Sequence, residues 1–116
     1  MNKMTEHIRY ITVPKNQDAI LALDYDMAKP EELIEWKLSE NEFIELWNLK
    51  IFDKINTTCD TIIDDYEDES ITEIYRLNEC FLIINQMKIN SNQIIQKFSK
   101  MIQYAIDFET GIYFYF

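Results

Sequence analysis

A chain of 116 residues, 47% apolar and carrying seven Phe, seven Tyr and two Trp, is the size of one domain with its own core, which excludes intrinsic disorder and a division into two ordinary domains. Its 21 acidic residues against 11 basic ones leave a net charge of −10; that field repels nucleic-acid phosphates and anionic head groups and speeds encounters with basic surfaces, so direct binding to nucleic acid or to an anionic membrane is not expected. The N-terminus, MNKMTEHIRY, has no apolar stretch of the kind a secretory signal needs, and nothing approaches the ~18 apolar residues of a membrane span, so the expectation is a cytoplasmic protein, residues 1–116 forming a single domain. In that compartment Cys59 and Cys80, with no CxxC spacing and no nearby His, read as reduced packing residues.

In chain order, residues 7–13 (HIRYITV) are rich in β-branched and aromatic side chains and stop at Pro14, which predicts a short strand. Asn16 to Ala28 reads either way: Ile20, Leu23 and Met27 share a helical face, yet AILALDYD also fits a strand, and the reading leans to helix. Pro30 followed by Glu31 and Glu32 reads as a helix start, with a short helix running through Leu38. Ser39 and Glu42 then form a capping-box pattern ahead of Phe43, Leu46, Trp47, Ile51 and Ile55, predicting a long helix over about residues 40–58. Ser70 and Glu73 repeat that pattern ahead of Ile74, Phe81 and Leu82, predicting a second long helix from about 70 to 88. Asn90, Ser91 and Asn92 supply a turn and cap for a third helix carrying Ile94, Phe98, Ile102 and Ala105, which should end before Gly111, the single glycine. The aromatic end, residues 112–116, would be an aggregation hazard if free, so it should be held as a strand, most simply against residues 7–13 or another N-terminal strand. The resulting expectation is a mainly α protein of the α+β class, three principal helices in a bundle-like core with short N-terminal and C-terminal β-strands.

Catalytic motifs are missing. His7 is the sole histidine, and no pattern marks a nucleophile or an orienting partner for it. One glycine is too few for a glycine-rich phosphate loop, and there is no HExxH, GxSxG or dinucleotide fingerprint. The carboxylates at Asp24/Asp26, Glu31/Glu35 and in the linker lack the glycine and terminal Glu of a calcium loop, so no metal and no cofactor is implied and the chain does not read as an enzyme.

The feature that stands out is the linker Asp60–Glu69, with six carboxylates, no Lys or Arg, and Tyr66 among them. Asp60, Asp64, Asp65, Tyr66, Glu67, Asp68 and Glu69 are therefore candidate partner-binding residues: their carboxylates can occupy the positions of a nucleic-acid backbone in a cationic groove, and Tyr66 adds a rigid anchor. The plainer reading is a solvated linker whose Glu67, Asp68 and Glu69 favour the dipole of the helix that follows. Trp36, between acidic neighbours in the expected short helix, is a further candidate interface anchor, whereas Trp47 shares a face with Phe43 and Ile51 and reads as core.

The succession of a helix, the segment INTTCDTIIDDYEDESI, a second helix, a shorter helix and the end AIDFETGIYFYF resembles the small acidic immunity proteins encoded beside bacterial polymorphic toxins, including those of contact-dependent growth inhibition systems. The resemblance covers about the last two thirds of the chain. It implies a cognate toxin domain as partner, frequently a nuclease with a basic cleft, and inhibition by occlusion without turnover; no individual residue matches a defined inhibitory motif. Two alternatives fit the same surface: a phage-type acidic nucleic-acid mimic that blocks a host nuclease, and a non-enzymatic adaptor subunit that associates through the aromatic tail. Oligomeric state is left open.

Overall fold

The computed structural model of the protein describes residues 7–87 and 92–116. Among these residues there are five α-helices and a four-stranded, wholly antiparallel sheet, in the order β1 (Arg9–Pro14), α1 (Gln17–Asp24), a 3₁₀ turn (Pro30–Glu32), β2 (Leu33–Leu38), α2 (Glu40–Asn48), α3 (Ile51–Cys59), β3 (Asp68–Ile71), α4 (Ile74–Gln86), α5 (Gln93–Phe108) and β4 (Ile112–Tyr115). The strand order is β2-β1-β4-β3. This is an α+β fold built on a sheet, which corrects the expectation of a three-helix bundle with strands only at its ends.

The two terminal segments pair as expected: β4 lies antiparallel to β1 with Tyr10 opposite Tyr115 and Thr12 opposite Tyr113. Two further strands complete the sheet, each in a segment with helical signals. Pro30 does start a turn, but only a single 3₁₀ turn, after which Ile34, Trp36 and Leu38 point to the core at period two and pair with Val13, Ile11 and Arg9. Trp36 is thus a strand residue only 3% exposed, its ring edge-on to Phe98 and beneath the Lys97 ammonium, so its expected place as an exposed anchor in a helix is overturned. Residues 68–71 pair with β4, burying Ile71 opposite Ile112, so the expected cap at Ser70 does not form and the helix begins only after Glu73. Position 88, the expected end of that helix, and the turn residues Asn90 and Ser91 lie outside the described residues.

The long helix expected over 40–58 is two helices. The capping box at Ser39 forms, with Glu42 N–H donating to Ser39 Oγ and Ser39 N–H to Glu42 Oε1, but the chain breaks at Lys50, which has φ 64°. In an unbroken helix Phe43 and Phe52 would point about 180° apart, at about 100° per residue. Breaking it lets both rings enter the core, 6.0 Å apart, and leaves Trp47 43% exposed on the rim, outside the core position its spacing implied. Within residues 16–28, Gln17–Asp24 form the helix α1, capped by Asn16.

α5 and α2 pack on one face of the sheet, with α3 and α4 against them. Phe52, Phe98, Phe114 and Phe116 form the centre of that core, with ring centroids 5.3 to 6.4 Å apart from Phe52. α1 lies against the second face. Asn92 caps α5, accepting from the Ile94 N–H at 2.9 Å, and the left-handed residue at its far end is Glu109, not Gly111. Gly111 is required by close approach instead: a Cβ there would sit 2.9 Å from the Ile71 carbonyl oxygen.

Candidate protein-interaction surface

The acidic linker is fastened at several points. Asn56, half-buried in the last turns of α3, accepts from the Ile63 N–H at 2.8 Å and from the Thr61 hydroxyl at 2.7 Å, and donates to the Ile63 carbonyl at 3.0 Å. These bonds place Ile63 as a buried plug under an otherwise solvated segment. Downstream, Glu69 accepts from the Ile62 and Ser70 amides at 2.8 and 2.9 Å, closing the linker onto β3.

The strongest fastening comes from β1. Arg9 is buried, and its guanidinium donates in parallel to both oxygens of Asp65, at 2.8 and 2.9 Å, and to Glu40 Oε1 at 2.9 Å, while its plane lies 3.9 Å from the centre of the Phe43 ring. The Asp65 carboxyl is held below the usual carboxylate range by its hydrogen bonds to Arg9, against the opposing effect of partial burial; Arg9 is raised reciprocally, first by Asp65. Tyr66 follows in a left-handed conformation and is 73% exposed, stacked on His7 with centroids 4.2 Å apart. His7 itself bonds through Nε2 to the Phe116 carbonyl and lies 3.5 Å from Asp65, so the sole histidine serves the seam between linker and tail.

The candidate residues therefore divide. Asp60, Asp64, Glu67 and Asp68 are exposed, as is Tyr66, and these five share the linker's outer surface. Asp65 and Glu69 are spent inside the fold, and Trp36 lies in the core. The alternative role of Glu67, Asp68 and Glu69 at a helix start is also corrected, because Asp68 and Glu69 belong to β3, at the edge of the sheet. Carboxylates on an edge strand deter pairing with another chain's backbone.

A second feature had no counterpart among the sequence candidates. On the sheet face away from the main core, Lys37, Tyr10, Tyr115 and Asp68 form one cross-strand row, and Glu35, Thr12, Tyr113 and Ser70 form the next. Leu23 and Asp24 of α1 close one side of a groove whose other side is Asp68, Ser70, Tyr113 and Tyr115. Burial, with Asp24 beside it, pushes the Tyr113 phenol up; burial, with Tyr113, Asp68, Asp24 and Asp26 nearby, pushes Tyr115 up to about 12. The alternation of Tyr113 and Tyr115 about Phe114 marks them as sharing a strand face, but only the register places carboxylates beside them.

Among the described residues no group of three or more His, Cys, Asp and Glu is placed to hold a metal ion, no hydroxyl or thiol bonds to His7, and no helix is long and apolar enough to cross a membrane. Cys59 and Cys80 are free, buried thiols.

The chain matches no protein-family model, and no curated protein matches it in sequence. Among solved structures it is similar to a chain titled Neisseria DNA mimic protein DMP12, with a TM-score of 0.62 over 96% of this chain and 100% of that one, at 14% sequence identity. The likeness is one of fold.

Proposed function

We propose that this protein is a non-catalytic acidic inhibitor that occupies the basic, nucleic-acid-binding surface of a protein partner by presenting carboxylates in place of phosphates. The observation that carries this reading is the division within Asp60–Glu69. Arg9, Asn56 and the Glu69 bonds hold the segment in place, while Asp60, Asp64, Glu67 and Asp68 stay exposed and form no salt bridge among the described residues. A carboxylate array held in place before docking costs less ordering entropy on binding than a mobile acidic loop does. The fold shared with a protein titled a DNA mimic supports the same reading.

A nuclease toxin is one partner of the required chemistry, so an immunity role differs from general nucleic-acid mimicry in the partner's identity and not in the surface used. The aromatic tail, whose self-association would have favoured the adaptor alternative, is an inner strand hydrogen-bonded on both sides, which supports the inhibitor reading over it.

The test is capture on the immobilised protein from a lysate of its source organism, followed by elution with duplex DNA. Basic DNA-binding proteins should be retained and displaced by DNA, and Asp64→Lys, Glu67→Lys and Asp68→Lys together should abolish retention. Asp65 is left unaltered, since reversing it would break its pairing with Arg9. Retention that DNA does not displace, or that survives the triple reversal, sinks the reading. Co-purification with the product of the adjacent upstream gene then separates a dedicated toxin from a general DNA-binding partner.

A further inference from the structure

We propose that the groove between α1 and strands β3 and β4 takes an arginine side chain of the partner, and so is the anchor point of the acidic surface. The inference rests on the reading that the partner is a basic protein, and it names the residue type that enters. Asp68 belongs both to the linker and to the wall of the groove, so the groove continues the exposed carboxylate surface onto the sheet.

The groove has the chemistry of a guanidinium site. Its floor is aromatic: the Tyr113 and Tyr115 rings lie 6.2 Å apart and 22° from parallel, and aromatic faces attract a planar cation. Carboxylates flank that floor from two elements, Asp24 at the end of α1 and Asp68 on β3. Among the described residues neither flanking carboxylate has a salt-bridge partner, unlike Asp65, and neither tyrosine hydroxyl has a hydrogen-bond partner. A guanidinium can lay its face on a ring while its edge donors reach carboxylates on either side; an ammonium is a compact point charge and meets only the second requirement.

The discriminating measurement is fluorescence anisotropy of labelled nona-arginine and nona-lysine peptides against the full chain at low salt. Nona-arginine should bind several-fold tighter than nona-lysine. Asp24→Lys with Asp68→Lys should weaken nona-arginine binding by at least about tenfold and erase the preference, whereas Glu45→Lys with Glu79→Lys, an equal change of net charge on exposed helical positions, should weaken it by less than about threefold. The near-isosteric pair Asp24→Asn and Asp68→Asn, which introduces no new cation, should move binding in the same direction as the groove reversal. Equal weakening by the two lysine pairs, or an arginine preference that survives the loss of Asp24 and Asp68, overturns the groove as anchor. Neither result touches the inhibitor reading, which is tested separately by displacement with duplex DNA and by the linker reversals.

Discussion

The Arg9 guanidinium holds Asp65 by two parallel bonds and Glu40 by a third while its face rests on Phe43, so one cation joins β1, α2 and the acidic linker. Truncating one partner of such a pair leaves the other charge short of a counterion in a place water reaches poorly. Asp65 keeps 29% of its side chain exposed, which moderates the penalty, so Asp65→Ala should lower unfolding free energy by about 2 kcal/mol in urea titrations. The pH dependence follows from the depressed Asp65 carboxyl. A group that ionises more readily in the folded than in the unfolded state contributes stability above its unfolded value, near 4, and that contribution is lost as pH falls through the lower folded value. The stability gap between wild type and Asp65→Ala should therefore be full at neutral pH and narrow below about pH 4; a gap unchanged down to pH 2 would show that the ion pair is not its source.

Among the elements, β1 and β4 carry strand composition, whereas β2 and β3 lie in segments with competing helical signals. β3 is four residues long, two of them acidic, and exists because β4 offers it a partner and because Ile71 gains a buried place opposite Ile112. The turn into β4 is tight enough that Gly111 lies under the Ile71 carbonyl and the Thr72 side chain. Gly111→Ala should cost about 1–3 kcal/mol, because the first obstacle to its Cβ is backbone and cannot rotate away. Thermal or urea unfolding of that single variant checks the close approach; wild-type stability would mean the β3–β4 connection sits further apart. The break at Lys50 is likewise a packing decision, since a left-handed lysine is accepted there so that Phe43 and Phe52 can face the same core.

Across the whole molecule, the net charge of −10 and the exposed linker set how a partner is met. Association with a basic protein should approach the order of 10⁸ M⁻¹s⁻¹ at low ionic strength and fall by about tenfold or more toward physiological salt, with dissociation changing far less. Stopped-flow mixing with the captured partner over a range of sodium chloride concentrations measures both rates. A rate insensitive to salt would place recognition on an apolar surface instead, the exposed Ile74, Tyr75 and Leu82 of α4 being the nearest candidate.

The residues alone reveal the part of this molecule that local chemistry governs. The capping box at Ser39, the Asn92 cap and apolar stripe of α5, the strand character of the aromatic end and of the N-terminal segment, and the anionic character of Asp60–Glu69 were all legible, because each depends on residues a few positions apart or on composition; that the two end strands pair followed from the need to cover an aromatic tail. The strand at 33–38 was legible in principle from the alternation of Ile34, Trp36 and Leu38, but the helix-start signal at Pro30 and two glutamates competed with it. Which linker carboxylates are free depends on the folded arrangement, since Arg9 and Asp65 meet across 56 positions. That arrangement alone brought Asp24 and Asp68 to either side of Tyr113 and Tyr115, because strand register is settled by burial on the far face of the sheet and not by the residues that end up lining the groove.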